Sequence, residues 1–128
     1  MINVTCAIIY VDDKILVTQR SEEMKLPLKW EFPGGKLEEN ESEIDCIKRE
    51  ILEEINIEIE IVMKLTDSIF DYGKFQIKLI PFIANFISGT IKLAEHKDYR
   101  LLDLSELSNL DWAEADKPIV EELLKLTL

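Results

Sequence analysis

The stretch EFPGGKLEENESEIDCIKREILEEINIEI, residues 31–59, combines two glycines, a segment crowded with acids and an apolar pattern of helical period. Ile44, Ile47, Ile51 and Ile55 recur at spacings of three and four, which predicts one buried face of a helix. Ser42 followed by Asp45 has the form of a capping box, so the helix is expected to begin near Ser42. It is expected to end near Asn56, a residue that tolerates the left-handed conformation common just past a helix. At about 100° per residue, Glu50, Glu53 and Glu54 fall within an arc of about 100°, centred about 110° from the isoleucines. Each like-charged pair at these spacings costs roughly a few tenths of a kcal/mol. Something must neutralise them.

Working outward, VTCAIIYV (4–11) and KILVTQR (14–20) are β-branched runs joined at Asp12 and Asp13, which predicts a hairpin. The mixed-polarity SEEMKLPLKW (21–30) predicts a loop. After the helix, IEIEIVMKL (57–65) alternates as a strand, and SIFDYGKFQIKLIPFIANFI (68–87) predicts a second hairpin turning at Asp71 to Lys74. Pro81 inside that run points to a sheet edge or a bulge. RLLDL (100–104) predicts a short strand, and ADKPIVEELLKL (115–126) a closing helix with Pro118 near its first turn. Strands on both sides of a central helix, with another helix at the end, predict an α/β fold with a mixed sheet covered on two faces.

The chain has 128 residues with 47% hydrophobic content, which predicts one domain, 1–128, with one core. A formal charge of −11 argues against a nucleic-acid polymer as partner, because that requires a Lys/Arg surface. Small phosphorylated ligands stay open if a metal supplies the positive charge. The start MINVTCAIIYV has no basic leader, and no apolar stretch approaches the roughly 20 residues of a membrane span. A soluble cytoplasmic protein without a membrane partner, monomeric or homodimeric, is expected. Cys6 and Cys46 lie far apart and are expected to be reduced packing residues. His96, the single histidine, cannot alone build a zinc site and is expected at the surface.

The acidic face has two readings. As an ordinary Glu-rich helix it is a solvated face. As a site, its carboxylates offer the oxygen ligands that hard divalent cations such as Mg²⁺ take. Gly34 and Gly35 favour the second reading, because they let the chain turn closely past the helix and bring a backbone carbonyl to the carboxylates. Arg49 stands four residues before Glu53 and could hold that carboxylate in place.

The segment resembles the Nudix hydrolase signature, Gx5Ex7REUxEExGU with U aliphatic. Gly35, Glu41, Arg49, Glu50, Ile51, Glu53, Glu54 and Ile57 fall on its positions without insertion. Asn56 stands where the signature has glycine, and its tolerance of positive φ preserves the turn. The resemblance implies the Nudix fold, a mixed sheet sandwiched between helices. It also implies Mg²⁺ or Mn²⁺ held by Glu50, Glu53, Glu54 and the Gly35 carbonyl, with Arg49 orienting a ligand. Glu41 would support the loop or bind metal through water. The bond cut in this family is a phosphoanhydride of a nucleoside diphosphate linked to some group.

VTCAIIYVDDKILVTQR, WEFPGGK and LDWAEADKPIVEELL occur in the order seen in compact MutT-type nucleoside triphosphate pyrophosphohydrolases, so the resemblance spans nearly the whole chain. It implies a nucleotide substrate, hydrolysis to a nucleoside monophosphate and pyrophosphate, and a role in cleaning the nucleotide pool. Glu53 and Glu95 are both candidates for the base that takes the water proton. Arg20 matches a position that contacts substrate phosphate; the alternative is a surface arginine paired with Glu22 and Glu23. Asp116 matches a base-reading position, where an acceptor suits the amino group of cytosine or adenine; the alternative is a helix cap. Phe75, Phe82 and Trp112 could each stack on a base or belong to the core. Rival functions are hydrolysis of another nucleoside diphosphate derivative such as ADP-ribose, a non-cleaving nucleotide sensor, and a plain acidic interaction domain.

Overall fold

The apolar run near the N-terminus is buried on both of its faces. A computed structural model describes residues 1–126, so the last two positions of the expected 1–128 domain lie outside the described residues. Strand β1 (Ile2–Val11) turns through Asp12, at φ 56°, into β2 (Lys14–Gln19), pairing Ile9 with Leu16. Short strands β3 (Trp30–Glu31) and β4 (Gly34–Lys36) follow, and then helix α1 (Glu43–Ile55). Strands β5 (Ile57–Lys64), β6 (Ser68–Asp71), β7 (Gln76–Gly89) and β8 (Asp98–Leu102) precede the closing helix α2 (Lys117–Leu126). The sheet runs β3-β2-β1-β7-β5, with β4 beside β1, β6 beside β7 and β8 beside β2. Among the described strands β1 and β7 pair in parallel and the other pairs are antiparallel, so the sheet is mixed.

Alternation along β1 sends Cys6 and Ile8 to one face and Ala7 and Ile9 to the other. The first pair packs with Ile119, Val120 and Leu123 of α2, the second with Ile47, Ile51 and Ile55 of α1. A strand covered on both sides therefore reads as a continuous apolar run. The α/β/α layering agrees with the sequence expectation.

Both caps of α1 lie where the residue types place them. Ser42 accepts from the Asp45 N–H at 3.1 Å, and Asn56 is left-handed at φ 67°, its N–H bonded to Leu52. Ile44, however, is 43% exposed, while Cys46, Ile47, Ile51 and Ile55 are buried. A helical wheel gives the angle about the axis and says nothing of how far along it the sheet reaches.

Three further expectations need correction. Pro81 lies in β7, an interior strand. Its carbonyl accepts from the Leu65 N–H at 2.9 Å, and the donor it lacks would point the same way, toward the 65–67 link where β7 changes partner from β6 to β5. Gly34 and Gly35 form no turn; they are strand residues paired with Cys6 and Thr5. His96 is buried, not at the surface. Two short 3₁₀ turns, Leu104–Asn109 and Glu114–Asp116, also went unread in the sequence.

Candidate active site

The acids of α1 and the loop before it meet on one guanidinium. Arg49 holds Glu41 with two bonds, Nε to Oε2 at 2.7 Å and Nη2 to Oε1 at 3.0 Å. Its Nη1 reaches Glu50 Oε1 at 2.8 Å and Glu53 Oε2 at 3.3 Å. The spacing in sequence points to Glu53 as the partner, but that contact is longer than those to Glu41 and Glu50, and a fourth acid, Glu38, lies 3.7 Å from Nη2. The paired guanidinium lowers the Glu41 carboxyl to about 2, and the carboxylates raise the arginine. Glu41 also accepts from the Glu38 N–H at 3.2 Å, which ties down the loop entering the helix.

The three helix carboxylates do not share one environment. Glu50 and Glu54 line a cavity of about 470 Å³, whereas the Glu53 side chain is 58% exposed beside Arg49. Glu54 has a buried Oε2 with no partner, and its carboxyl is pushed up to about 8 by burial first and then by the charges of Glu50, Glu31 and Glu95. Among the described residues no three acids, histidines or cysteines converge as a ready metal cluster. The orphaned, partly desolvated Glu54 oxygen nevertheless fits a site that a cation completes.

Glycine is required at two adjacent positions by close approach. A Cβ on Gly35 would overlap the Glu50 carboxylate, and one on Gly34 would overlap the Thr5 carbonyl and Cys6 Cα. The Gly35 carbonyl accepts from the Thr5 hydroxyl at 3.2 Å and from the Cys46 thiol at 3.8 Å. Cys6 and Cys46 are free and buried, as their spacing led us to expect.

Across the cavity from the helix sequence, Asp116 is buried and accepts the Phe32 N–H at 2.9 Å. That bond spans two segments and replaces the helix cap considered for this residue. Burial, then the Glu31 charge, raises the Asp116 carboxyl. Arg20 also lines the cavity, with Nη1 2.8 Å from Glu31 Oε1 and Nε bonded to the Lys25 carbonyl. It does not pair with Glu22, which is taken by Lys97 at 2.8 Å. Phe75 lines the cavity and stacks on Tyr72 at 5.1 Å, with Lys25 Nζ 4.8 Å from its ring centre. Phe82 and Trp112 are core residues.

Glu95 is exposed on the 90–97 segment, close enough to Glu54 to raise its carboxyl. The segment is tied down by Ala94 N–H to the Glu54 carbonyl at 3.0 Å and Lys97 N–H to the Gln19 carbonyl at 2.9 Å. His96 Nε2 lies 2.8 Å from Glu31 Oε2. Sequence reasoning gave Glu31 and Tyr72 no role and placed His96 at the surface, yet Glu31 and Tyr72 line the cavity and His96 pairs with Glu31. Tyr72 accepts the Ala115 N–H at 2.9 Å and so joins the β6–β7 turn to the Asp116 segment. For Glu31, a lone acid between Trp30 and Phe32 was the available signal.

The NUDIX domain family matches residues 1–123. A CTP pyrophosphohydrolase of Escherichia coli K12 is 32% identical over 126 residues, covering 98% of this chain and 93% of that protein. An 8-oxo-dGTP diphosphatase of Buchnera aphidicola subsp. Schizaphis graminum is 30% identical over 124 residues, covering 97% and 94%. Among solved structures, a MutT protein of methicillin-resistant Staphylococcus aureus 252, titled a family Nudix hydrolase, superposes with a TM-score of 0.78 at 42% identity, covering 97% of this chain and 95% of that one.

Proposed function

Because the chain belongs to the Nudix hydrolase family, we propose that it hydrolyses a nucleoside triphosphate, with a cytidine-type base preferred, to the monophosphate and pyrophosphate. Water adds to phosphorus, the phosphoanhydride bond breaks, and one proton leaves. Such a reaction would clear unwanted nucleotides from the pool. The observation that carries this reading is the cavity shared by Glu50 and Glu54 with Asp116 and Phe75, which provides for phosphates and base in one space.

Glu50, Glu53 and Glu54, with the Gly35 carbonyl, would hold Mg²⁺ or Mn²⁺. When bound, the cation supplies charge neutralisation at the phosphates and a more acidic water. Arg49 holds Glu50 and Glu53 in orientation, while Glu41 and Gly34 support the loop that carries them. Glu53 or Glu95 takes the water proton. Arg20 engages phosphate, Phe75 stacks on the base, and Asp116 accepts from an exocyclic amine.

A second reading, an oxidised purine, is favoured by the 30% identity over 124 residues to a relative named 8-oxo-dGTP diphosphatase. Hydrolysis of CTP, dCTP, dATP, dGTP and 8-oxo-dGTP with magnesium, reading pyrophosphate and phosphate separately, decides between them. Pyrophosphate released fastest from a cytidine nucleotide supports the first reading. Release of phosphate alone, or from none of the five, overturns both.

A further inference from the structure

We propose that His96 is a positioning residue that fixes Glu95 by anchoring its neighbouring backbone to Glu31. The inference rests on the proposed hydrolysis, with Glu95 rather than Glu53 taking the water proton. Glu95 makes no side-chain hydrogen bond among the described residues, so its place is set by the backbone that carries it. That backbone is tied to the fold at Ala94 and Lys97 by main-chain bonds, and at His96 by the ring.

The His96 side chain is only 2% exposed. A polar ring leaves water at little cost only where its hydrogen bonds are replaced. Glu31, as a carboxylate, only accepts, so Nε2 donates to it across 2.8 Å. Nδ1 has no partner, which leaves the Glu31 bond as the one directional contact of the ring among the described residues. The anchor itself is stiff. Glu31 stands in β3, paired to β2, and its other oxygen is held by Arg20 at 2.8 Å. His96 thus links the segment carrying Glu95 to the cavity wall.

Steady-state kinetics test this with whichever of the five triphosphates above is turned over fastest. His96→Leu keeps bulk and removes the donor; it should lower kcat by about tenfold or more while KM changes by less than about threefold. His96→Gln restores an N–H at similar reach and should recover kcat to within about threefold of the natural protein. Adding His96→Leu to Glu95→Gln should cause no further loss, since both changes act through one group. In the metal-free protein, His96→Leu should speed amide exchange at Ala94 and Lys97 but leave Ile9 and Leu16 protected. Should His96→Leu not fold, His96→Asn, whose amide is too short to reach Glu31, takes its place.

Losses that multiply in the double variant, or a His96→Gln protein as impaired as His96→Leu, overturn the inference and leave hydrolysis by this chain standing. A Glu95→Gln protein of full activity overturns it together with the role of Glu95. Failure to hydrolyse any triphosphate is a different result, which removes the proposed function itself.

Discussion

The Asp116 carboxylate accepts the backbone N–H of Phe32 at 2.9 Å, a bond that joins residues 84 apart in sequence. One carboxylate oxygen is committed to this bond, and the residue also lines the cavity. In Asp116→Asn the amide oxygen can keep the Phe32 bond while the amide nitrogen turns a donor toward the ligand. Preference for cytosine or adenine nucleotides should then fall, relative to bases with a carbonyl at that place, by roughly tenfold to a hundredfold, the range for a buried bond to a charged acceptor. Ratios of kcat/KM for dCTP and 8-oxo-dGTP measure it, and an unchanged ratio removes Asp116 from base choice.

Glu53 is exposed and makes one long contact to Arg49. Glu53→Gln should therefore leave the melting temperature almost unchanged, since exposed pairs are worth about 0–1 kcal/mol. Activity should drop by about a hundredfold or more if the carboxylate is the base or a metal ligand. A folded Glu53→Gln protein of near-normal rate would exclude it from the mechanism.

The two glycines should respond differently to alanine. At Gly34 the new Cβ meets backbone, which cannot yield, and stability should fall by about 1 to 3 kcal/mol or more. At Gly35 the nearest atoms it meets belong to the end of the Glu50 side chain, which can move. Gly35→Ala should fold with a nearly normal melting temperature and lose activity as Glu50 is displaced. Equal destabilisation of the two variants, measured by thermal melting, would contradict this.

The Glu54 carboxyl, ordinarily near 4.5, is raised to about 8 in the fold. Folding then takes up a proton between these values, so stability falls as pH rises through this window. The melting temperature of metal-free protein should decline from about pH 5 to about pH 8. Millimolar Mg²⁺ should counter the decline most at the alkaline end, because a ligand of the folded state stabilises it. Glu54→Gln should flatten the pH profile. A melting curve indifferent to both pH and magnesium would refute the assignment of Glu54 as a ligand.

Local chemistry made most of the elements legible. Ser42 and Asn56 bound α1 because capping and left-handed tolerance are properties of the residues themselves. The same holds for the hairpin turn at Asp12 and for the spacing that puts Glu50, Glu53 and Glu54 on one helix. Tertiary packing decided the rest. Pro81 could enter an interior strand because two different strands share its outer edge, a fact of topology that no window of residues contains. The burial of His96 depends on Glu31, 65 positions away, and Asp116 became a partner of Phe32 and not a cap for the same reason. Periodicity reports which face a residue occupies; which distant group waits there is settled only when the chain closes around it.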